Sequence, residues 1–410
     1  MANCLRKMRT NTIDHAGIGT FETTPLIDKL IADVLRSGRI SYGPMSREFE
    51  ERFAAEHNCE YAILSNSGTS SLQVALQAMR DHLHWSPGDN VIVPATTFVA
   101  TPNIVVHNNM RPRFVDVRKD DYGMDPALIE AAIDSRTRAI IPVHLFGQPC
   151  DMDPIREIAA AHQLRIIEDS CETMFAKYKG EMVGSMGDVG AFSLYMAHIL
   201  VAGVGGVGTT NDPELAARMR SLVNHGLSLR NLNAGKNFAP QFMLGRNFEF
   251  EGHGHSFRIT ELEAALALGQ MDDPYYNILA PRRRNARHLS TGIKNANTFT
   301  DTGDEWLTTS TPIADRTHAW MMFPVMVTDA APFKKMDITT YLNEQGIETR
   351  DMLPILGQPA YSYLDPSDFP VSADIIEKGF YIGCHQGLTP DHVSYMVQHI
   401  ERFYNGYQTN

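Results

Sequence analysis

The sequence is poor in cysteine and has none of the cysteine patterns that cross-link small domains or bind metals. Its 410 residues include five cysteines, an odd number without any CxxC spacing. Scattered cysteines of this kind exclude a disulfide framework and indicate reduced thiols in a cytosolic protein. No metal site is predicted. The five are dispersed over the chain as Cys4, Cys59, Cys150, Cys171 and Cys384.

Long apolar runs are also absent, as is an excess of positive charge. No segment approaches the roughly 18–20 consecutive apolar residues of a membrane span, and the first residues, MANCLRKMRTNTIDHAG, lack the apolar core of a signal peptide. We therefore expect a cytoplasmic protein without a membrane partner. The net charge of −12, with no extended run of Lys and Arg, argues against a nucleic-acid partner. An anionic substrate is compatible with this charge, because an acidic protein can contain a basic pocket.

The chain does contain enough apolar residues, 43%, for a large core. Short β-rich runs alternate with amphipathic helical patterns, which predicts an α/β fold with parallel strands covered on both faces. The predicted strands are 60–67, 90–98, 111–117, 138–147, 164–170 and 189–195, and the helices between them include 69–83, 125–135 and 151–164. The region 284–312 is polar and is predicted to be rich in turns. We therefore expect a large domain over 1–285, with an N-terminal arm, and a small C-terminal α+β domain over 286–410.

Four local features could support chemistry, and each also has an ordinary structural interpretation. In SNSGTSSL (65–72), the N–H groups of Gly68 and Thr69 would face an anion at a helix start, although a simple N-cap explains the pattern as well. Asp169 and Glu172 end a buried strand. Open α/β sheets bind ligands at such strand ends, although helix capping explains these residues as well. Phe98, at another strand end, could stack on a flat cofactor or belong to the core.

The fourth feature is FSLYMAHILVAGVGG (192–206), in which His198 is the one ionisable side chain besides the phenol of Tyr195. A single histidine is more often structural than catalytic, and GVGG alone predicts no more than a turn. The order of the four features is far more specific than any one of them. A phosphate-binding turn, a stacking aromatic, a buried aspartate and FSxY before GxGG follow each other along the chain.

This order resembles the DegT/DnrJ group of sugar aminotransferases, which are pyridoxal-phosphate (PLP) enzymes of fold type I. The resemblance extends over nearly the whole chain, through ISYGPMSREFEERFA, DVRKDDYGMDPALIEAAI, VHLFGQPCDMDPI, GHSFRITELEAALALGQMD, GIETRDMLPI and GFYIGCHQGLT. It implies an aspartate aminotransferase-like α/β fold with a mixed, mostly parallel seven-stranded sheet. It also implies a homodimer with shared active sites.

The resemblance assigns roles to individual residues. Gly68, Thr69 and Ser193 would hold the cofactor phosphate, Phe98 would stack on the ring, Asp169 would face the pyridinium nitrogen, and Glu172 would stand where most relatives have Gln near O3′. Ser256 replaces an Asn that reaches the phosphate across the dimer interface. Val204 replaces the acid of the usual G-[DE]-G-G. His198 falls on the position of the Schiff-base lysine.

A missing lysine implies a change of reaction. No lysine occurs between Lys179 and Lys236, and Lys177 and Lys179 lie in the polar turn of a predicted hairpin. The chain in this respect resembles the His-for-Lys subset of the family, the 3-dehydratases such as GDP-4-keto-6-deoxy-D-mannose 3-dehydratase. EDSCE (168–172) and IGCHQ (382–386) match that subset too. The scattered cysteines disfavour the type of 3-dehydratase that carries an iron–sulfur cluster.

The implied function is a lyase that acts with non-covalently bound pyridoxamine or pyridoxal phosphate. It would remove the C3 hydroxyl of a nucleotide-linked 4-keto-6-deoxy sugar, with His198 as base and L-glutamate restoring the amine. Candidate groups for the diphosphate, the sugar or the glutamate carboxylate, each equally explained as a surface or structural residue, are His225, Arg230, Arg258, Arg350 and His385.

Two other functions stay open at this point. One is a sugar aminotransferase in which His198 is a replacement of the lysine or another lysine serves. The other is a non-catalytic sugar-nucleotide-binding protein with the same fold, against which the retained Asp169, Phe98 and phosphate turn argue.

Overall fold

A central sheet of seven strands organises the larger part of the molecule. The structure is a computed structural model that describes residues 16–228, 249–298 and 304–408. Each predicted strand is present, although most are shorter than their apolar runs. The strands are β1 (Tyr61–Ser65), β2 (Asn90–Pro94), β3 (Arg111–Val115), β4 (Thr137–Ile140), β5 (Arg165–Asp169), β6 (Lys177–Tyr178), β7 (Glu181–Met182), β8 (Val189–Ser193), β9 (Gly206–Thr210), β10 (Leu307–Thr309), β11 (Phe323–Val327), β12 (Thr349–Asp351) and β13 (Gly379–Ile382).

The large sheet has the strand order β1-β9-β8-β5-β4-β2-β3. Within it β9 runs antiparallel to β1 and β8, and the remaining neighbours are parallel. The predicted mixed, mostly parallel seven-stranded sheet is therefore confirmed. Because six strands point the same way, the segments that follow β1, β2, β5 and β8 meet at one edge of the sheet. This edge is where ligands bind in open α/β sheets.

Helices cover both faces of the large sheet. Ser67 caps one of them with its hydroxyl, and a capping box at Thr260 and Glu263 begins another. Pro44, Pro126 and Pro213 stand at first helical positions, where their missing N–H costs nothing. The helices are α1 (Pro25–Ser37), α2 (Pro44–Glu56), α3 (Gly68–His82), α4 (Ala100–His107), α5 (Pro126–Ile129), α6 (Met152–Ala161), α7 (Pro213–Val223), α8 (Glu261–Gly269), α9 (Ala280–Asn297), α10 (Lys335–Glu344), α11 (Pro370–Lys378) and α12 (Pro390–Gln408).

The second half of the chain contributes a smaller antiparallel sheet with the order β10-β11-β13-β12. Its own core includes Phe323, Phe380 and Tyr404. This sheet and its helices have the α+β character predicted for the C-terminal region. The domain limits at 285 and 286 stay a prediction.

The prediction of a turn-rich region over 284–312 is wrong for its first half. Residues 280–297 form the continuous helix α9, in which Ala286, Leu289 and Ile293 are buried. The polar composition reflects an exposed helical face rather than turns. Another predicted helix, 125–135, is reduced to α5 and a short 3₁₀ turn ending at Ala132.

No helix within 16–228, 249–298 and 304–408 combines the length and the apolar composition that a membrane span needs.

Three histidines outside the sheet edge are packed into the interior. His57 stacks on Phe53 with ring centroids 4.2 Å apart, and His318 stacks on Trp320 at 3.7 Å. Burial lowers the pKa of His57 to about 4, of His318 to about 3 and of His385 to about 4. These imidazoles are neutral in the folded protein at pH 7, whereas in the unfolded chain they titrate near ~6.5.

Stability should therefore fall as the pH decreases from about 6.5 towards 4. In that window the unfolded chain binds protons that the folded chain does not, so each histidine reduces the free energy of unfolding by up to about 1.4 kcal/mol per pH unit. Urea denaturation between pH 7.5 and 5 measures this slope. The variant His57→Phe should have a smaller slope by about one proton. Equal unfolding free energies at pH 7.5 and 5 would contradict the expectation.

Candidate active site

A cavity of about 300 Å³ lies at the edge of the large sheet where β1, β2, β5 and β8 end. It brings together side chains from distant parts of the sequence. Its lining includes eight of the residues predicted for the site, namely Gly68, Thr69, Phe98, Asp169, Glu172, Ser193, His198 and Arg350.

The turn between β1 and α3 forms one end of this cavity. α3 begins at Gly68, so its first-turn N–H groups have no acceptor within the helix. A Cβ at position 68 would lie 2.7 Å from both Sγ of Cys171 and Cβ of Ser193, so only glycine fits here. Gly206 packs equally closely on this turn, since a Cβ there would lie 2.2 Å from the Ser67 carbonyl oxygen. The last glycine of GVGG therefore has a packing role beside the anion-binding turn.

Asp169 ends β5 as a buried carboxylate in the cavity wall. Its Oδ2 accepts a hydrogen bond from Thr101 Oγ1 at 2.8 Å, and its Oδ1 accepts one from the Cys171 N–H at 3.2 Å. Burial raises the pKa of Asp169, although these hydrogen bonds act in the opposite direction. A positively charged group bound in the cavity would offset the desolvation and favour the ionised carboxylate.

Glu172 lines the same cavity three residues further on. Its Oε2 accepts a hydrogen bond from the Phe146 N–H at 2.9 Å. Burial, together with the neighbouring Asp169, raises the pKa of Glu172 to about 7. The carboxyl group is therefore partly protonated at neutral pH and can both donate and accept a proton.

His198 lies after β8, half-buried, with its ring at the cavity. Its Nδ1 is 3.3 Å from the Ser193 carbonyl oxygen. A carbonyl can only accept, so Nδ1 carries the hydrogen and Nε2 is left as the free base. Burial lowers the pKa of His198 to about 4, and the charge of Arg282 acts in the same direction. The imidazole is thus neutral and able to accept a proton at physiological pH.

Arg282 holds the backbone of this histidine in place. Its side chain is 1% exposed, and its Nη2 donates to the His198 carbonyl at 3.1 Å. Nη1 donates to the carbonyls of Trp320 and Met321, at 3.1 and 2.9 Å, and Nε donates to Gln386 Oε1 at 2.9 Å. One buried guanidinium therefore joins the loop after β8 to the segment before β11 and to the segment after β13. The sequence offered no signal for this role.

The mouth of the cavity is aromatic. Phe98 is 56% exposed and Tyr195 is 53% exposed, although both are large apolar side chains. Val204, which replaces the acid of the family pattern, is 52% exposed nine residues after Tyr195 and is not among the described residues that line the cavity. Arg350 also lines the cavity and donates to Glu348 Oε1 at 2.9 and 2.7 Å. A flat ligand could stack on Phe98 while an anionic group approaches Arg350.

Several predicted residues lie elsewhere. Ser256 and Arg258 form a separate exposed group, in which Arg258 donates to Ser256 Oγ at 3.0 Å and to Asn224 Oδ1 at 2.6 Å, beside the exposed His225. His385 is buried against the Gly17 carbonyl at 3.1 Å. Neither group is part of the cavity lining within the described residues. The contact of Ser256 across a dimer interface stays a prediction, and Arg230 lies outside the described residues.

Some residues that line the cavity or support its wall were not predicted. Thr101 donates to Asp169, and Cys171 contacts both Asp169 and the anion-binding turn. Their positions in VPATTFVAT and EDSCE, beside predicted site residues, were the available signal. For Met321 and Tyr381, which come from the region of the smaller sheet, the sequence contains no such signal.

Together these residues fit pyridoxal phosphate. The glycine turn at the start of α3 suits a phosphate, and the exposed ring of Phe98 suits a planar heterocycle. The buried carboxylate of Asp169 has no arginine or lysine partner among the described residues, so it can pair with a pyridinium nitrogen.

Comparison with known proteins agrees with this geometry. The DegT/DnrJ/EryC1/StrS aminotransferase family matches residues 23–401. The GDP-perosamine synthase of Caulobacter vibrioides is 32% identical over 363 residues, which cover 88% of this chain and 91% of that protein. The dTDP-4-dehydro-2,6-dideoxy-D-glucose 3-dehydratase of Saccharopolyspora spinosa is 31% identical over 384 residues, which cover 89% and 81%.

Solved structures share the architecture. The E. coli GDP-4-keto-6-deoxy-D-mannose-3-dehydratase with bound hydrated PLP superposes with a TM-score of 0.82 and 22% sequence identity. The match covers 95% of this chain and all of that one. At this identity the likeness shows the fold, which is that of PLP enzymes of fold type I.

Proposed function

The chain belongs to the DegT/DnrJ/EryC1/StrS aminotransferase family, and on that premise we propose that it is a 3-dehydratase of a nucleotide-linked 4-keto-6-deoxy sugar. The family comprises sugar-modifying enzymes whose cofactor is pyridoxal phosphate. The proposal concerns the reaction and the form of the cofactor. His198 would act as the base, and the cofactor would be held without a covalent bond, in its pyridoxamine form when the sugar binds.

The observation that carries the proposal is His198 in the cavity wall with no lysine beside it. None of the described residues that line the cavity is a lysine. Lys177 and Lys179 lie on the β6–β7 hairpin, and Nζ of Lys179 pairs with Asp153 at 2.6 Å. An imidazole cannot form a Schiff base, but it can accept and return protons. Loss of the nucleophile with retention of a base favours elimination over amino transfer.

When bound, the cofactor supplies an amine that can join the sugar's ketone and a ring that takes up negative charge. Asp169 would keep the ring nitrogen protonated. The turn from Ser67 to Thr69, with Ser193, would hold the phosphate. Phe98 would orient the ring by stacking, and Glu172 would place a carboxyl with a pKa of about 7 beside it. These roles follow the family pattern residue by residue.

His198 would move the proton. Its Nε2 is unprotonated at neutral pH, and its ring is fixed by the Ser193 carbonyl and, through its own backbone, by Arg282. Nε2 would accept a proton from the C4′ carbon of the cofactor. It would return this proton to the departing C3 oxygen of the sugar, so that the leaving group is water. One residue can perform both transfers because the imidazole that has accepted the proton is then a general acid beside the departing oxygen.

The proposed partners are a nucleotide-linked keto sugar, L-glutamate as amino donor and a second copy of the chain. Arg350 is the predicted anion-binding residue that lines the cavity. The Ser256 and Arg258 group is available to a second subunit, since it is exposed and outside the cavity of its own chain.

The test is a product assay with the pyridoxamine-phosphate form, glutamate and a panel of nucleotide-linked 4-keto-6-deoxyhexoses. We expect a 3-deoxy ketone and release of ammonia. Borohydride treatment of the cofactor-loaded protein should leave the cofactor removable by dialysis. A 4-amino sugar as product, or a cofactor that borohydride fixes to the chain, would overturn the dehydratase proposal.

Those opposite results would identify an aminotransferase, the function that the family's name describes. Absence of cofactor binding in absorbance titrations would instead identify a non-catalytic sugar-nucleotide-binding protein.

A further inference from the structure

A second cavity lies beside α9 and shares no lining residue with the candidate active site. Its volume is about 460 Å³. One wall is a face of α9, and the other is the segment that leads into β11. The residues are Arg283, Arg287, Ser290 and Lys294 on the helix and Ser310, Thr311, Pro312, Thr317, His318 and Trp320 opposite.

The helix wall is strongly basic on a protein whose net charge is −12. Residues 280–297 include five Lys and Arg residues and no Asp or Glu. Arg283, Arg287 and Lys294 are spaced by four and seven residues, so they lie on one helical face. Like charges four residues apart on a helix repel each other. An anion in the cavity would remove this repulsion.

The cations of this wall have few acceptors of their own. No acidic residue lines the cavity within the described parts of the chain, and neither Arg287 nor Lys294 has an ion-pair partner there. Arg283 Nε donates to the His318 carbonyl at 3.2 Å, and its two Nη groups remain as donors for a ligand. Partial burial lowers the pKa of the Arg283 guanidinium, because removing its charge from water costs free energy.

The opposite wall offers buried donors as well. Ser310 is 6% exposed, and its Oγ has no hydrogen-bond partner among the described residues. His318 is also buried, and its Nδ1 accepts the Trp320 N–H at 2.9 Å, so Nε2 carries the hydrogen. A buried hydroxyl without a partner costs free energy unless a ligand or water satisfies it. Both walls therefore present hydrogen-bond donors, and neither presents a carboxylate.

We propose that this cavity is a second binding site, for a phosphate-bearing anion of the size of a diphosphate. Two arginines suit an anion with several oxygens, because a guanidinium can donate two parallel hydrogen bonds to it. The site would be centred on Arg283 and Arg287. Near Lys294 the carboxyl end of α9 carries partial negative charge, which disfavours an anion there. This proposal does not depend on the reaction proposed above.

Calorimetric titration with inorganic pyrophosphate tests the site, on protein whose active site is first saturated with pyridoxal phosphate. Filling the active site removes its own phosphate-binding turn from the measurement. We expect binding to a site whose affinity is unchanged in Arg350→Gln, the variant that removes the anion-binding candidate of the active-site cavity. The variant Arg287→Gln, at an exposed position, should bind about 10-fold more weakly, the effect of losing one charge-assisted contact. Ser310→Ala should weaken binding in the same direction.

The matched control is Arg284→Gln, which removes the same charge from the same helix at a position outside the cavity. Its affinity for pyrophosphate should stay within about 2-fold of the parent, because it makes no contact with the ligand. Titrations with phosphate and GDP identify the source of the anion. Tighter binding of GDP than of pyrophosphate points to a nucleotide, whereas equal affinities for the two point to free diphosphate. Equal affinities in Arg287→Gln and Arg284→Gln, or no binding once the active site is full, would overturn the proposal.

Discussion

Replacing His198 by asparagine should reduce turnover of a nucleotide-linked 4-keto-6-deoxy sugar by about 10²–10⁴-fold, the usual effect of losing a general base. Asparagine has nearly the size of the neutral imidazole and can still donate to the Ser193 carbonyl. Its amide cannot accept a proton at neutral pH. The rate of 3-deoxy ketone formation measures the loss, and absorbance titration should show unchanged affinity for the cofactor.

His107→Asn is the matched control, since His107 is exposed at the end of α4, away from the cavity. It should retain the parent rate. If His198→Asn turned the sugar over as fast as the parent, His198 would not be the base. If the rate and the cofactor affinity fell together, the histidine would act in binding rather than in proton transfer.

The second large effect concerns Asp169. Asp169→Asn removes the charge proposed to face the ring nitrogen while preserving the shape of the side chain. Loss of one partner of a buried charged pair costs about 2–5 kcal/mol, so turnover should fall on the order of 10²-fold or more. Cofactor affinity should fall as well, in contrast to the histidine variant.

The same substitution should not destabilise the protein without cofactor. The carboxylate of Asp169 is buried, and its charge is disfavoured there until a cation binds. An asparagine can still accept from the Cys171 N–H and can donate to Thr101 Oγ1, which has Thr97 Oγ1 within 2.8 Å. Urea denaturation of the cofactor-free variant should give an unfolding free energy no lower than the parent's. The control Asp272→Asn, at an exposed site, should change neither property.

A large loss of stability in cofactor-free Asp169→Asn would mean that the carboxylate supports the fold. Unchanged turnover would mean that no cation faces it during the reaction.

The strand ends show why much of this site could be predicted. An apolar run determines a buried strand, and a polar residue directly after it must lie at the sheet edge. Asp169 and Ser193 end β5 and β8, and Phe98 lies four residues after β2, so their meeting at one edge required only parallel strands. The helix α9 shows the opposite case. Its polar sequence resembles turns, and only the packed structure shows that one of its faces is buried.

The sequence by itself determined the alternation of strands and helices, the anion-binding turn, the buried aspartate and a histidine at the lysine position. These features depend on neighbours in the chain. The tertiary structure alone decided that Arg282 reaches the His198 carbonyl across 84 positions and that Thr101 reaches Asp169 across 68. It also decided that burial lowers the pKa of His198 to about 4 and that the basic face of α9 borders a cavity. Contacts between distant segments and the exclusion of water arise only when the chain packs, and local sequence patterns do not contain them.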